Sequence, residues 1–316
     1  LQRMKTSELV QLEIAVKRLA SNSTFYHSLQ EELLKIASGH HGEKNTDYYL
    51  QYTPDHMTHL KDIRLFDGIQ HFQVDSLLTS DSHLTIIDVK NHKGKLIFDF
   101  DNQQLIRDYK GQKDYYTDPF IQVEHHKLQL TRWLHHHNFP QVPIEPYIII
   151  SNPQTVLKTH GRDAHGYKNR IIRAKRLPHL LNKLPYRQKP VAWNSEERER
   201  FHQLVQKKNT PFTVSVVKKH GLIMSDFVWG VECPSCGTIG MERRRDHWRC
   251  RCGRKSSDAH LQLLQEYAVL FGSEITNAVF RKIARLSSAK VARTLLVQCC
   301  EHNTKHSKAR IYCISK

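Results

Sequence analysis

The run Leu84-Thr85-Ile86-Ile87-Asp88-Val89-Lys90 constrains the fold more than any other segment of this chain. Successive side chains of an extended strand alternate between faces. Leu84, Ile86 and Asp88 therefore share one face, and Thr85, Ile87 and Val89 share the other. Apolar on both sides, the run reads as a central, buried strand. It carries a carboxylate, and a buried acid needs a partner or a metal. Lys90 points the same way as Asp88 and stands at the strand's exit toward solvent. A second apolar run, Phe72–Leu78, precedes it across the turn-like Thr79-Ser80-Asp81-Ser82-His83, so a hairpin brings Asp75 beside the pair. A solvated hairpin with charges on its outer face is the plainer reading of Asp75, Asp88 and Lys90, and the two-sided apolar pattern disfavours it. Two carboxylates and one ammonium in one place suit metal-assisted phosphodiester hydrolysis. The acids hold a hard divalent cation, which lowers the pKa of a bound water and clamps the phosphate. The lysine orients that water or neutralises developing charge.

Four stretches, in order, carry a family resemblance. They are Gly39-His40-His41-Gly42-Glu43, which follows a leucine-bearing helix; Phe72-Gln73-Val74-Asp75-Ser76-Leu77-Leu78; Ile87-Asp88-Val89-Lys90-Asn91 with Gly94; and Asp118-Pro119-Phe120-Ile121-Gln122. Together they resemble the NERD (nuclease-related) domain of the PD-(D/E)xK nuclease superfamily, over roughly residues 30–160. The family usually has Glu where Asp88 stands and Asn where Asp118 stands. Aspartate keeps the ligand chemistry, and Asp and Asn cap helices alike. The resemblance implies a site of Glu43, Asp75, Asp88, Lys90 and Gln122. Asp75 and Asp88 would bind Mg²⁺ or Mn²⁺ with the Val89 carbonyl as a further ligand, Glu43 would help hold the metal or its water, and Gln122 would orient Lys90 or a phosphate.

Further along, Cys233-Pro-Ser-Cys236-Gly and Cys250-Arg-Cys252-Gly form two close pairs on tight turns. Such pairs can present four thiolates tetrahedrally to a structural zinc, and four cysteines leave no open position for catalysis. The module resembles a zinc ribbon, although its second pair is Cys-x-Cys rather than the commoner Cys-x2-Cys. So short a segment has little apolar core, and the metal would supply its folding free energy. Arg243, Arg244, Arg245, Trp248 and Arg249 lie between the pairs, a set suited to phosphate contact and base stacking. Cys299, Cys300 and Cys313 show no ligand spacing and read as buried small hydrophobes. The histidines of His135-His136-His137 diverge on a helix and read as solvated.

The 316 residues leave room for two or more domains. No apolar run approaches the roughly 18 residues of a membrane helix. Leu1–Leu12 lacks a signal peptide's apolar stretch and the clustered cysteines suit a reducing compartment, so a cytoplasmic protein is expected; Leu1 is not a conventional initiator. The net charge of +17 divides unevenly: residues 1–150 hold 16 Lys+Arg against 19 Asp+Glu, and residues 151–316 hold 32 against 12. A basic second half suits nucleic-acid phosphate.

The expected fold is an α/β restriction-endonuclease-like core, a mixed sheet flanked by helices, with a small zinc ribbon and a C-terminal helical module. Helices are expected over Glu8–Ala20 and Phe25–Ala37, the second ending near Gly39, and strands over His59–Phe66, Phe72–Leu78, Leu84–Lys90, Lys95–Phe100 and Tyr147–Ile150. The expected domains are N-terminal helices (1–38), the nuclease core (39–185), a connecting region (186–230), the ribbon (231–257) and a helical module (258–316). The last has helix caps at Asp258, at Thr276 or Asn277, and at Ser287-Ser288, with a tight turn between short helices, then His302–Ser307 and the apolar run Ile311–Ile314. It resembles a winged helix whose recognition helix, Ser288–Cys300, offers Lys290, Arg293 and Thr294 to DNA. A plain helical dimerisation domain is the alternative. The function these features indicate is a Mg²⁺-dependent nuclease acting on DNA. A non-hydrolysing DNA-binding or regulatory protein and an RNA-directed protein are the alternatives, and the intact Asp, Asp, Lys set argues against the first.

Overall fold

The computed structural model describes residues 3–183, 193–302 and 310–315. Its first elements are α1 (Ser7–Arg18), α2 (Tyr26–Leu50), β1 (Thr58–Phe66), β2 (His71–Thr79), β3 (Leu84–Lys90), β4 (Lys95–Asp99), β5 (Gln104–Tyr109) and β6 (Gln112–Thr117). Next come α3 (Pro119–His136), β7 (Ile144–Ile150), β8 (Val156–His160), β9 (Ile171–Arg173), α4 (Leu177–Lys183), α5 (Ser195–Lys208) and α6 (Val216–Lys219). The chain then forms β10 (Glu242–Arg243), β11 (Trp248–Arg249), β12 (Lys255–Ser256), α7 (His260–Phe271), β13 (Glu274–Thr276), α8 (Asn277–Ala284), α9 (Ala289–Cys299), β14 (Cys300–His302) and β15 (Ile311–Ile314).

Two compact units result. The first comprises Leu1–Met4 and Ile36–Phe212, the second Lys5–Lys35 and Thr213–Lys316. This division departs from the expected domains in two places. The segment 1–38 is no domain of its own: α1 buries Leu9, Leu12 and Ala15 in the second unit, where buried Arg18 donates to Glu266 of α7 at 2.7 Å. Nor is 186–230 a connector throughout. Trp193, Phe201 and Val205 are buried in the core of the first unit, with α5 opened by a capping box between Asn194 and Glu197.

The first unit holds a mixed sheet in the order β1-β2-β3-β7-β9, with β3, β7 and β9 parallel, and a second sheet in the order β6-β5-β4-β8. β3 is central, as its two-sided apolar pattern requires. Its Leu84 and Ile86 join one core with Trp133 of α3, and Ile87 joins another with Leu50 of α2. Asp118 caps α3 by accepting from the Phe120 N–H at 2.9 Å, with Pro119 in the first turn. Helix α2 does not stop near Gly39 but continues through it and Gly42 to Leu50. Each helical glycine costs about 1 kcal/mol relative to alanine, and the buried face formed by Thr46, Asp47 and Leu50 outweighs that.

In the second unit, α7, β13, α8, α9, β14 and β15 follow in the order of a winged helix, with a three-stranded sheet ordered β13-β15-β14. Thr276 and Ser288 cap α8 and α9 through their hydroxyls. Asp258 does not directly cap α7: its carbonyl accepts from Leu261, and Ala259 is the capping residue. Most of the segment His302–Ser307 lies outside the described residues.

Candidate active site and metal centre

Strands β2 and β3 pair antiparallel with Ser76 opposite Ile87, so the next step of the ladder carries Asp75 to Asp88. The Val89 N–H donates to Asp75 Oδ2 at 3.2 Å. Lys90 Nζ lies 2.8 Å from one carboxylate oxygen of buried Asp88 and 3.2 Å from the other. It also donates to Gln122 Oε1 on the first turn of α3 at 3.4 Å. The ammonium is thereby held between a strand carboxylate and a helix amide.

Glu43 reaches the same end of the sheet from α2, because Gly42 lets that helix come close. A Cβ on Gly42 would stand 2.4 Å from Asn91 Cβ and 2.7 Å from Ser151 Oγ. The Glu43 carboxylate faces Arg3, whose Nη1 donates to it at 3.0 Å, and does not close with the two aspartates into one tight ligand shell. Buried Arg3 also bonds Asp47 at 3.2 Å through two nitrogens, the Asp75 carbonyl at 3.0 Å and Ser76 Oγ at 3.1 Å, and it pairs with Asp62. Arg3 is the site-organising residue that sequence reasoning missed. A single arginine far from any motif gives no local signal.

Burial, then the negative charges of Asp88 and Glu43, push the Asp75 carboxyl up to about 8. Burial, partly offset by Arg3, also raises Glu43. The negative charges around Asp75 favour a cation beside it, and carboxylate oxygens are hard donors of the kind that Mg²⁺ and Mn²⁺ take. The donor set fits a divalent metal.

Residues 38–151 match the family model of the nuclease-related domain, NERD. The chain carries a nuclease-related domain. No curated protein and no solved structure matches it. The matched stretch of this NERD domain runs from the turn of α2 before Gly39 to Ser151 and includes Glu43, Asp75, Asp88, Lys90 and Gln122. A nuclease-related domain implies nucleic acid as substrate and a divalent metal as helper.

Outside the NERD match, the Sγ atoms of Cys233, Cys236, Cys250 and Cys252 all lie within 4.8 Å of one another. Cys233 and Cys252 are 3.7 Å apart, and Cys236 and Cys250 are 3.6 Å apart. Four sulfurs at about 2.3 Å from a tetrahedral zinc would be separated by roughly 3.8 Å, so the cluster could hold zinc. Gly237 and Gly253 take φ of +69° and +92° just after each pair, a backbone that side chains resist, and their N–H groups close the turns onto Cys233 and Cys250. One expectation here fails. Trp248 is fully buried, its indole donates to His260 Nδ1 at 3.2 Å, and the Arg243 guanidinium lies over its ring. This aromatic fills a small core and cannot stack on a base. Arg243 is half-buried with it, while Arg244, Arg245, Arg249, Lys290, Arg293 and Thr294 are exposed. Of the other cysteines Cys300 is buried, but Cys299 and Cys313 are only partly so.

A second oxygen-rich cluster, Asp99, Asp101 and His160, was not expected. Its acids are largely satisfied locally, Asp99 by Asn102 and Gln104 and Asp101 by the Arg162 N–H. Among the described residues no helix is long and apolar enough to cross a membrane.

Proposed function

We propose that the chain is a Mg²⁺- or Mn²⁺-dependent nuclease that hydrolyses phosphodiester bonds in DNA. The observation that carries this reading is the fixed ammonium of Lys90, 2.8 Å from Asp88 and 3.4 Å from Gln122, at the strand end where Asp75 also arrives. Asp75 and Asp88 would hold the cation, with the Val89 carbonyl beside them and Glu43 supporting the metal or its water. When bound, the cation supplies an acidified water and neutralises phosphate charge. Lys90 positions the attacking water and balances charge that grows in the transition state. Gln122 accepts from Lys90 and so fixes where that ammonium points. Arg3 is a positioning residue, holding Glu43 and the backbone at Asp75.

The four cysteines hold a structural zinc in this reading, and exposed Arg244, Arg245, Arg249, Lys290 and Arg293 contact nucleic-acid phosphate. The winged-helix order of α7 to β15 supports DNA as the ligand, with α9 as the reading helix. Thiols that must stay reduced suit the cytoplasm. Incubation of plasmid and linear DNA, and of RNA, with and without Mg²⁺ beside Asp88→Ala tests the proposal. Mg²⁺-dependent cutting of DNA by the wild type alone is expected. Equal cutting by Asp88→Ala overturns the site, and cutting confined to RNA overturns the substrate.

A further inference from the structure

The NERD-bearing unit contains a cleft that the hydrolytic residues do not use. It has a volume of about 310 Å³ and is lined by Asn45, Tyr48, Tyr49, Ser151, Arg173 and Lys175, among others. That volume is at the lower end for ligand pockets, enough for one nucleotide unit and too small for a stacked base pair.

Its position ties it to the reacting end of the sheet. Lys90, Ile150 and Arg173 share one cross-strand row at the carboxyl ends of the parallel strands β3, β7 and β9. Neighbouring strands lie about 4.8 Å apart, so the Arg173 backbone is roughly 10 Å from that of Lys90. The Ser151 N–H donates to the Lys90 carbonyl at 3.2 Å. On the helix side, Asn45, Tyr48 and Tyr49 follow Glu43 along α2. At 1.5 Å rise per residue Tyr48 stands about 7.5 Å from Glu43 along the axis. Ligands of open α/β sheets bind outside the carboxyl ends of parallel strands.

The chemistry of the lining is that of a single-strand subsite. Tyr48 is 58% exposed despite its size, and it meets Tyr49 and Tyr52 in near-perpendicular contacts at 5.2 and 6.5 Å. An exposed ring is a stacking platform for any base. Opposite in charge to phosphate, Lys175 is exposed. Arg173 Nη2 is committed to the Thr155 carbonyl at 2.6 Å, but its Nη1 is buried with no hydrogen-bond partner. Its guanidinium nonetheless adds positive charge to the cleft lining beside Lys175. The unit as a whole is basic, with 26 Lys+Arg against 19 Asp+Glu in its sequence.

We propose that this cleft holds one splayed nucleotide of a single-stranded stretch of the substrate, its base against Tyr48 and its phosphate against Lys175 and Arg173. The inference rests on the nuclease reading for its place in the reaction, and it narrows the substrate to DNA with a single-stranded region near the cut.

Photo-crosslinking of the full chain in buffer without added Mg²⁺ or Mn²⁺ and without chelator tests it without cleavage and leaves the cysteine module intact. The probes are an iodouracil-substituted single-stranded oligothymidylate and a blunt hairpin duplex bearing the same label, with adducts mapped by mass spectrometry. The expected result is an adduct at Tyr48 with the single strand, several-fold weaker with the duplex and several-fold weaker in Lys175→Glu. Adducts confined to other residues, equal yield from the duplex, or no effect of Lys175→Glu would each overturn the proposal. Mg²⁺-dependent cutting is assayed separately. Cutting without a Tyr48 adduct sinks the cleft and spares the nuclease reading, whereas a Tyr48 adduct without cutting supports the cleft and sinks the hydrolytic assignment.

Discussion

Gly42→Ala should impair the site although it changes no charged group. The added Cβ would sit 2.4 Å from Asn91 Cβ, against the 3.4 Å at which ordinary contact begins, so about 1 Å of separation must be found. The Cβ of Asn91 is fixed to its backbone, directly after β3, and Asn91 Nδ2 is tied to the Ser38 carbonyl at 2.7 Å. Rotating a side chain relieves neither restraint. The helix must therefore lift from the strand ends, carrying Glu43 with it. Overpacking of this kind costs about 1–3 kcal/mol, and a 1 Å misplacement of a catalytic group can cost about 10²-fold in rate. Gly39, one helical turn earlier, is the internal control. Nothing lies within 4 Å of its added Cβ, so Gly39→Ala should gain up to about 1 kcal/mol of helix stability and keep its rate. Thermal unfolding and single-turnover cleavage of a labelled DNA by both variants decide the matter. A Gly42→Ala protein with wild-type melting temperature and rate would refute the close approach of α2 on which the position of Glu43 depends.

Asp75→Ala or Asp88→Ala should abolish cleavage with DNA affinity nearly intact, while Lys90→Ala should lose about 10²-fold or more in rate; cleavage rates beside anisotropy titrations read both. The pH dependence follows from Asp75. Its folded-state pKa of about 8 lies above the usual carboxylate value near 3.9, so its contribution to stability is present below that lower value and fades as pH rises through 8. Metal-free wild type should accordingly lose melting temperature relative to Asp75→Asn between pH 5 and 8, and Mg²⁺ should restore more at pH 8 than at pH 6; parallel curves for the two proteins would contradict this. One zinc per chain should be found by elemental analysis and be lost in Cys250→Ser, with chelation unfolding the cysteine module and weakening DNA binding. Charge reversal of the exposed Arg244, Arg245 and Arg249 should flatten the salt dependence of binding by nearly one unit of slope for each phosphate no longer neutralised, and an unchanged slope would remove these residues from the interface.

The strands bearing the site were legible because their patterns are local. β3 begins and ends where its two-sided apolar run does, and the Ser80–His83 turn closes on itself through the Ser80 N–H and the His83 carbonyl. The residues brought from afar were not. Trp193 and Phe201 enter the first unit's core from a segment that reads as a connecting region, and Arg3 reaches Glu43, Asp47 and Asp62 across about forty residues or more. Trp248 illustrates a different limit. An aromatic among arginines looks like a stacking residue, but beside four cysteines it is also the largest apolar group available to a small module, and burial claims it. The hairpin of β5 and β6 escaped notice because its charged and tyrosine residues lack a clean apolar alternation. The charge division at residue 150 misled for a related reason. The first unit continues to Phe212 and takes in the basic stretch after β7, so its sequence totals 26 Lys+Arg against 19 Asp+Glu, and the second unit 22 against 12. Both units are basic.

The three acids of the site are not equivalent, and their partners explain why. Asp88 has the Lys90 ammonium at 2.8 Å, and Glu43 has the Arg3 guanidinium at 3.0 Å. Among the described residues the Asp75 carboxylate accepts only from the neutral Val89 N–H, at 3.2 Å, and it feels the other two carboxylates at close quarters. Burial first, and then those two carboxylates, raise the Asp75 carboxyl to about 8. A divalent cation would relieve most strain there, since an added positive charge acts most strongly on the acid with no cation of its own. Asp88 and Glu43 would exchange part of an existing ion pair for the metal, whereas Asp75 would exchange a proton. Metal affinity in the proposed site would be coupled to a proton on Asp75, and Asp75→Asn should remove both the coupling and the tight binding, leaving Asp88 paired with Lys90.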